Sequence, residues 1–493
     1  MKKFASARWL AALLVLAATA LITGCGNRPY HTTEYQYAGR PTPPSKLTNR
    51  VLVVYGNSGA LTSGGAQILD ASRDIRFNVY QPNSTFPVRG FSTSGLPLQL
   101  FNYPEQTLGI VFAQDNSVGS IDYGTEAFTS ATLASSVFAS TPTSLFVPSD
   151  RTFAYAAEEV SGLFLVDDLA AGVQYNFSLP GAYRLAVNPA HTVVLIMTRN
   201  TNNVYRLLRL NTAQTPPAGA IDCQPLNQPV YCVLPVGSTQ PNGSVSEPAF
   251  HRPQYAYFSP DGSQTYILSC GRECGGTGAD AQPAISYANT ASLRTDAYPT
   301  SSTYTTPVVK TIPLPGATAA ISDGNTVYVA GQQLLSDGYF AGVLSVIPNS
   351  ASAPSATVSI SDGIHTRMLF ADDNTLWIGS QNCSSGERQA KGQNYNCLTR
   401  YVTTSNTASI VPNVTPGSNS KVPNPNENLD PYYYGSLTGI CWVEGLHKVY
   451  TAYGGQIHAF HTADGSELDN TNITVQGTAI DVGYMDATSN VTN

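Results

Sequence analysis

The side chains able to do chemistry in this 493-residue chain are 7 histidines, 8 cysteines and 32 carboxylates. His191, His251, His365, His447, His458 and His461 form no His-Glu-x-x-His pattern. His458 and His461, three residues apart, point to opposite faces of a strand and so cannot chelate one ion together. No Gly-x-Ser-x-Gly nucleophile elbow occurs. The run Gly276-Thr277-Gly278-Ala279-Asp280-Ala281 shares letters with a dinucleotide fingerprint. It lies in a strand-to-strand loop, without the following helix whose N-terminus would take a pyrophosphate. The acidic pairs Glu158-Glu159, Asp167-Asp168 and Asp372-Asp373 fall at turns or strand ends and are read as solvated turn residues. Asn424, Asn426, Asn428 and Asp430 alternate oxygen ligands that calcium could use. One formal carboxylate and no EF-hand glycine favour a polar Pro-Asn loop instead. The expectation is a protein with no resident metal or cofactor and no catalytic set.

The cysteines fall into local pairs: Cys223 with Cys232, Cys270 with Cys274, Cys383 with Cys397. Such pairs read as loop staples made in an oxidising compartment. A metal site would need four ligands, and the Cys-x3-Cys at 270 to 274 lacks histidines to complete them. Cys441, beside Trp442, is expected as a buried free thiol on an inner strand.

The remaining cysteine, Cys25, follows a cationic start (Lys2, Lys3, Arg8) and the apolar stretch Trp9 to Ile22. That stretch is short for a spanning helix and reads as an export signal over residues 1–24. Leu21-Ile22-Thr23-Gly24-Cys25 resembles a bacterial lipobox. The resemblance implies that the Cys25 thiol is lipidated and begins the mature chain, with acyl chains that anchor it stably. Gly26 stands where an inner-membrane retention signal would carry Asp, which implies the outer membrane, with the protein facing periplasm or cell surface. Residues 25–48, polar and rich in proline, read as the lipidated cysteine and its tether.

Removing that signal leaves about 469 residues, with 22 basic against 32 acidic side chains, a net charge of -10. A nucleic-acid binder needs the opposite sign. Only 12% of residues are charged, while Gly 41, Pro 33 and Tyr 28 are numerous. Coiled coils, helical bundles and charged disordered chains are thereby disfavoured.

From residue 49 onward a unit recurs: a short apolar run, a tight turn, then two or more β-rich runs. Turn anchors fall at Pro104, Pro148, Pro189, Pro260, Asp323, Asp372 and Glu444. The spacing, about 40 residues where insertions are absent, suits a four-stranded propeller blade. Phe258-Ser259-Pro260-Asp261-Gly262 resembles the turn of WD-type propellers, and Phe146 to Asp168 is similar to a YVTN-type unit. Asp373 to Ser380 resembles the repeat of sensor-type propellers. The fold expected over 49–493 is a single all-β propeller. Thr478 to Asp486 looks like a first strand lacking its successors, while Arg50 to Tyr55 and Gly65 to Asp70 look like second and third strands lacking a first. One blade shared by both termini would close the ring and remove its open edges. Counting that blade gives eight, with seven as the alternative count.

Insertions at 271–283, 331–342 and 381–396 lie between second and third strands, and 413–435 between a fourth strand and the next blade. In an up-and-down blade both classes of loop emerge on one face. Binding residues collect on such loops, so this decorated face is the expected recognition surface, with Arg272, Tyr339, Tyr432, Tyr433 and Tyr434 as its contacts. The tyrosines from 432 to 434 could equally begin the next inner strand and pack inward. The function expected is a lipid-anchored binding or scaffold module for a protein, glycan or envelope component. The alternative is an enzyme, since YVTN-like propellers resemble lactonases; quinone-dependent dehydrogenases also use the fold, but Trp377 and Trp442 are too few for their tryptophan-docked blades.

Overall fold

Alternation along each strand decides the architecture. In the strand Val194–Thr198, Val194 and Ile196 enter one apolar cluster while Leu195 and Met197 enter another. In Arg50–Gly56, Val51 and Val53 face one neighbour and Leu52 and Val54 the opposite one. A strand that buries both faces must lie in a sheet packed between two others. The computed structural model shows that arrangement repeated into an eight-bladed β-propeller. It describes residues 42–490 apart from 58–62, 75–89, 94, 133–139, 218, 226–229, 237, 240–244, 247–249, 300–306, 384–395, 413–433, 469–472, 474 and 476. Pro43–Asn493 form one compact unit.

The blades' innermost strands are Thr478–Tyr484, Pro97–Tyr103, Ser144–Phe146, Ala182–Val187, Pro253–Phe258, Ala319–Ser322, Ile364–Ala371 and Leu437–Val443. Among the described residues the core divides into eight interblade clusters, one at each boundary, and one small cluster beneath the edge of the fourth blade. Two buried faces per sheet leave few places for Lys or Glu, which accounts for the low charge content. The helical segments described are short 3₁₀ turns, and no described helix is long and apolar enough to cross a membrane.

All seven turn anchors lie between the first and second strands of their blades. At the eighth such position the chain is broken. Thr478–Tyr484 pairs antiparallel with Arg50–Gly56, matching Val51 to Tyr484 and Val53 to Val482. Arg50 replaces the missing turn. Its guanidinium meets Asp486 at 2.6 Å and Glu126 at 3.0 Å, and donates to the Tyr123 carbonyl at 2.6 Å. The Arg50 amide also donates to Asp486 (2.8 Å).

Two local readings change. Residues 331–342 are mostly ladder, because Thr326–Leu334 and Phe340–Pro348 remain paired out to Leu334 opposite Phe340. Only 335–339 turns, with Gly338 supplying the left-handed residue. Second, the docked chain begins before residue 49: Ser45 and Leu47 are buried, and Ser45 donates its amide to Glu126 at 2.9 Å. The expected Cys223–Cys232 disulfide is present, and it joins residues directly opposite each other in the outer hairpin of the fourth blade.

Candidate binding site at the channel mouth

Most inner strands depart from regular pairing near their starts. Register breaks occur between Pro97 and Gln99, Ala182 and Arg184, Pro253 and Tyr255, His365 and Arg367, and Leu437 and Gly439. A bulge re-aims the residues that follow it. The closing strand is broken likewise, beside Asp481. Arg367 meets Asp481 at 3.0 Å and donates its Nε to the Thr438 carbonyl at 3.2 Å. Gly439 leaves room beside Asp481, since a Cβ there would stand 2.4 Å from its carboxylate. Burial pushes the Asp481 carboxyl up, and Arg367 pulls it back.

Two concave sites flank the disulfide-stapled turn Gly271–Cys274. One, of about 430 Å³, is lined by Arg272, the 278–283 segment and the extended hairpin through Gln332, Leu334 and Phe340. The other, of about 450 Å³, is lined by Arg184, Arg199, Arg252, Gln254, Glu273 and Thr318, among others. Starts of inner strands, ends of second strands and two of the four predicted loops, 271–283 and 331–342, meet there; most of 381–396 and 413–435 lies outside the described residues.

The second cavity is held in detail. Tyr183 donates its hydroxyl to the Pro253 carbonyl at 2.8 Å, and the Arg199 guanidinium lies 4.4 Å from the centre of its ring. With the Gln254 amide nitrogen donating to the Tyr183 hydroxyl, its oxygen accepts from both terminal nitrogens of Arg184 at 3.2 and 3.3 Å. Asn202 accepts from the Arg252 amide at 3.2 Å and donates to Asp280 at 2.5 Å, joining the 271–283 loop to the fourth blade. Arg252 is held left-handed, at φ 59°. Glu273 accepts from the Gln332 amide at 2.9 Å and from its side chain at 3.1 Å.

Burial raises the Glu273 carboxyl to about 7, against the opposing pull of the Gln332 bonds. An acid whose pKa is raised by folding keeps its proton in the native state after the unfolded chain has lost it, so its contribution declines as pH rises from about 4.5 to 7. Glu273→Gln removes that dependence. At about 1.4 kcal/mol per unit, the variant should gain about 1 to 3 kcal/mol relative to the wild type between pH 5 and pH 8. Urea midpoints at the two pH values measure this, and parallel declines in both proteins would refute it.

Of the contacts expected from sequence, Arg272 lines the smaller cavity and Tyr339 is half-buried at the hairpin tip. Tyr434 is buried: its hydroxyl donates to Glu467 at 2.6 Å and its ring stacks on His458 at 4.5 Å. It therefore packs the eighth blade and offers no outer contact surface. Tyr432, Tyr433, Cys25 and the calcium candidates Asn424, Asn426, Asn428 and Asp430 lie outside the described residues. Cys270–Cys274 and Cys383–Cys397 are bonded as expected, and Cys441 is a buried thiol. Among the described residues no three His, Cys, Asp or Glu side chains come together as a metal-ligand group. Two acidic residues expected at the surface are buried. Glu158 accepts from the Ser140 amide at 3.1 Å and from the Ser161 hydroxyl at 2.5 Å, and Asp167 is also enclosed. The cavity residues Arg184, Arg252 and Glu273 were missed; Glu273 carried a signal, its place between two paired cysteines.

No protein-family model matches the chain, and no curated protein matches its sequence. Its fold matches solved propellers. Dihydro-heme d1 dehydrogenase NirN, in complex with DHE, is similar over 95% of this chain and 84% of that one, at 13% identity and a TM-score of 0.52. Hydrazine synthase of Kuenenia stuttgartiensis is similar over 64% of this chain and 95% of that one, at 13% identity and a TM-score of 0.39. At such identity the likeness to the first defines a class, the β-propeller proteins, and leaves function to the site.

Proposed function

We propose that this protein is an envelope lipoprotein, anchored through Cys25 to the outer membrane, whose propeller captures a protein, glycan or envelope component through its decorated face. The observation that carries the reading is the convergence of the stapled 270–274 turn and the extended hairpin around two cavities on one face. Extra chain length fixed by a cross-link on a rigid scaffold suits recognition. The lipobox-like residues 21–25 and the three disulfides favour an exported location. Crosslinking in the native envelope, followed by mass spectrometry of neighbours, should recover one enriched partner, and shortening 413–435 should abolish its recovery. In parallel, Cys25→Ala should move the protein out of the membrane fraction. Recovery of bulk lipoproteins alone, indifferent to the loop, would refute the docking role.

A further inference from the structure

The larger cavity has the size of a small-molecule site. Three guanidinium groups face it. Arg199 is paired with Glu159, whereas among the described residues Arg184 and Arg252 have no carboxylate partner. The Arg252 Nε–H is buried and donates to no described group. Two positive charges thus lie in a concave wall with no carboxylate paired to them, although Glu273, whose proton burial holds up to about pH 7, lines the same wall; Gln254 holds one of them in place through its amide oxygen. A partly desolvated guanidinium is unfavourable until an oxyanion meets it. The planar fork of donors fits a carboxylate with two parallel hydrogen bonds.

We propose that this cavity binds a small dicarboxylate, its two negative charges answering Arg184 and Arg252. The inference rests on the decorated face being the recognition surface, and adds the charge and size of what it recognises. Thr318 and Asn200 supply further polar contacts around the cavity.

Calorimetric titration of the detergent-solubilised full chain tests this, with succinate and malate as probes, succinamide as the neutral counterpart and inorganic phosphate as the rival anion. Succinate or malate should bind, and succinamide should not. Arg184→Ala and Arg252→Ala should each weaken binding by roughly tenfold or more. Arg252→Lys, which keeps charge and loses the fork, should fall between. Raised salt should weaken binding, and Arg294→Ala, whose pair with Asp296 is exposed, should leave it unchanged. Unaltered affinity in both cavity variants, equal binding of succinamide, or tighter binding of phosphate would overturn the proposal. If dicarboxylate binding fails while loop shortening still abolishes partner capture, only this assignment falls. If arginine-dependent binding stands while capture ignores the loop, the docking reading falls instead.

Discussion

Arg50→Met is expected to destabilise the protein by about 3 to 5 kcal/mol, the usual effect of removing one member of a buried ionic group. The Arg50 side chain is 5% exposed and its partner Glu126 is fully enclosed. Removing the guanidinium strands two carboxylates at the one place where the ring lacks a covalent turn. The Arg50 amide bond to Asp486 survives the substitution, so the loss reports on the side chain. The urea midpoint should fall, and amide exchange should accelerate first in Arg50–Gly56 and Thr478–Tyr484, the strands whose pairing closes the ring. Arg294→Ala supplies the contrast: its pair with Asp296 is solvent-exposed, and such pairs contribute little. Equal midpoints for the two variants would show that the closure rests on the ladder alone. Replacing Arg50, Glu126 and Asp486 together with apolar residues of similar volume should recover much of the loss, because no charge is then left unpaired.

What sequence reveals here is local chemistry, and what it conceals is register. Pro104, Pro148, Pro189, Pro260, Asp323, Asp372 and Glu444 were visible because turn residues act within four positions of backbone. The closing strand was visible because Thr478 to Asp486 has first-strand character and Arg50 to Tyr55 has second-strand character. The charged groups at the starts of the inner strands were not. Arg184 in AYRLAV and Arg367 in IHTRMLFA look like polar positions of half-exposed strands, whereas each follows a register break, Arg184 lines a cavity and Arg367 pairs with Asp481. Burial at strand ends was similarly hidden. Glu158 reads as a turn acid until Ser140 and Ser161 are seen to donate to it. Tyr434 reads as part of a tyrosine-rich loop until Glu467, thirty-three positions on, is seen to accept its proton. Each error exchanges a sequence neighbour for a spatial one.

The second large effect is expected at Trp377. Trp377→Ala should cost about 3 to 5 kcal/mol, by loss of buried area and the cavity left behind. The indole is wholly enclosed, 6.2 Å from the Phe460 ring, and donates its Nε1 to Thr375 at 3.0 Å. Trp442→Phe removes a single bond, from the indole to Asp372 at 2.9 Å, and should cost about 1 kcal/mol. Chemical denaturation of both variants separates packing from hydrogen bonding; a smaller loss at 377 than at 442 would contradict the packing account. The consequence reaches the decorated face. Trp377 shares its cluster with Cys383, Cys397, Val411 and Tyr434, which stand at the roots of the 384–395 and 413–433 segments. Asn396, also buried, ties those roots together, donating to the Pro412 carbonyl at 3.2 Å and accepting from the Tyr434 amide at 3.2 Å. A void at 377 therefore loosens the described residues that flank both segments at once. Trp377→Ala should lower partner capture in the crosslinking assay even under conditions where the protein stays folded, whereas Trp442→Phe should leave capture intact. Capture unaffected by either change would mean that recognition depends on the stapled 270–274 region and its two cavities instead.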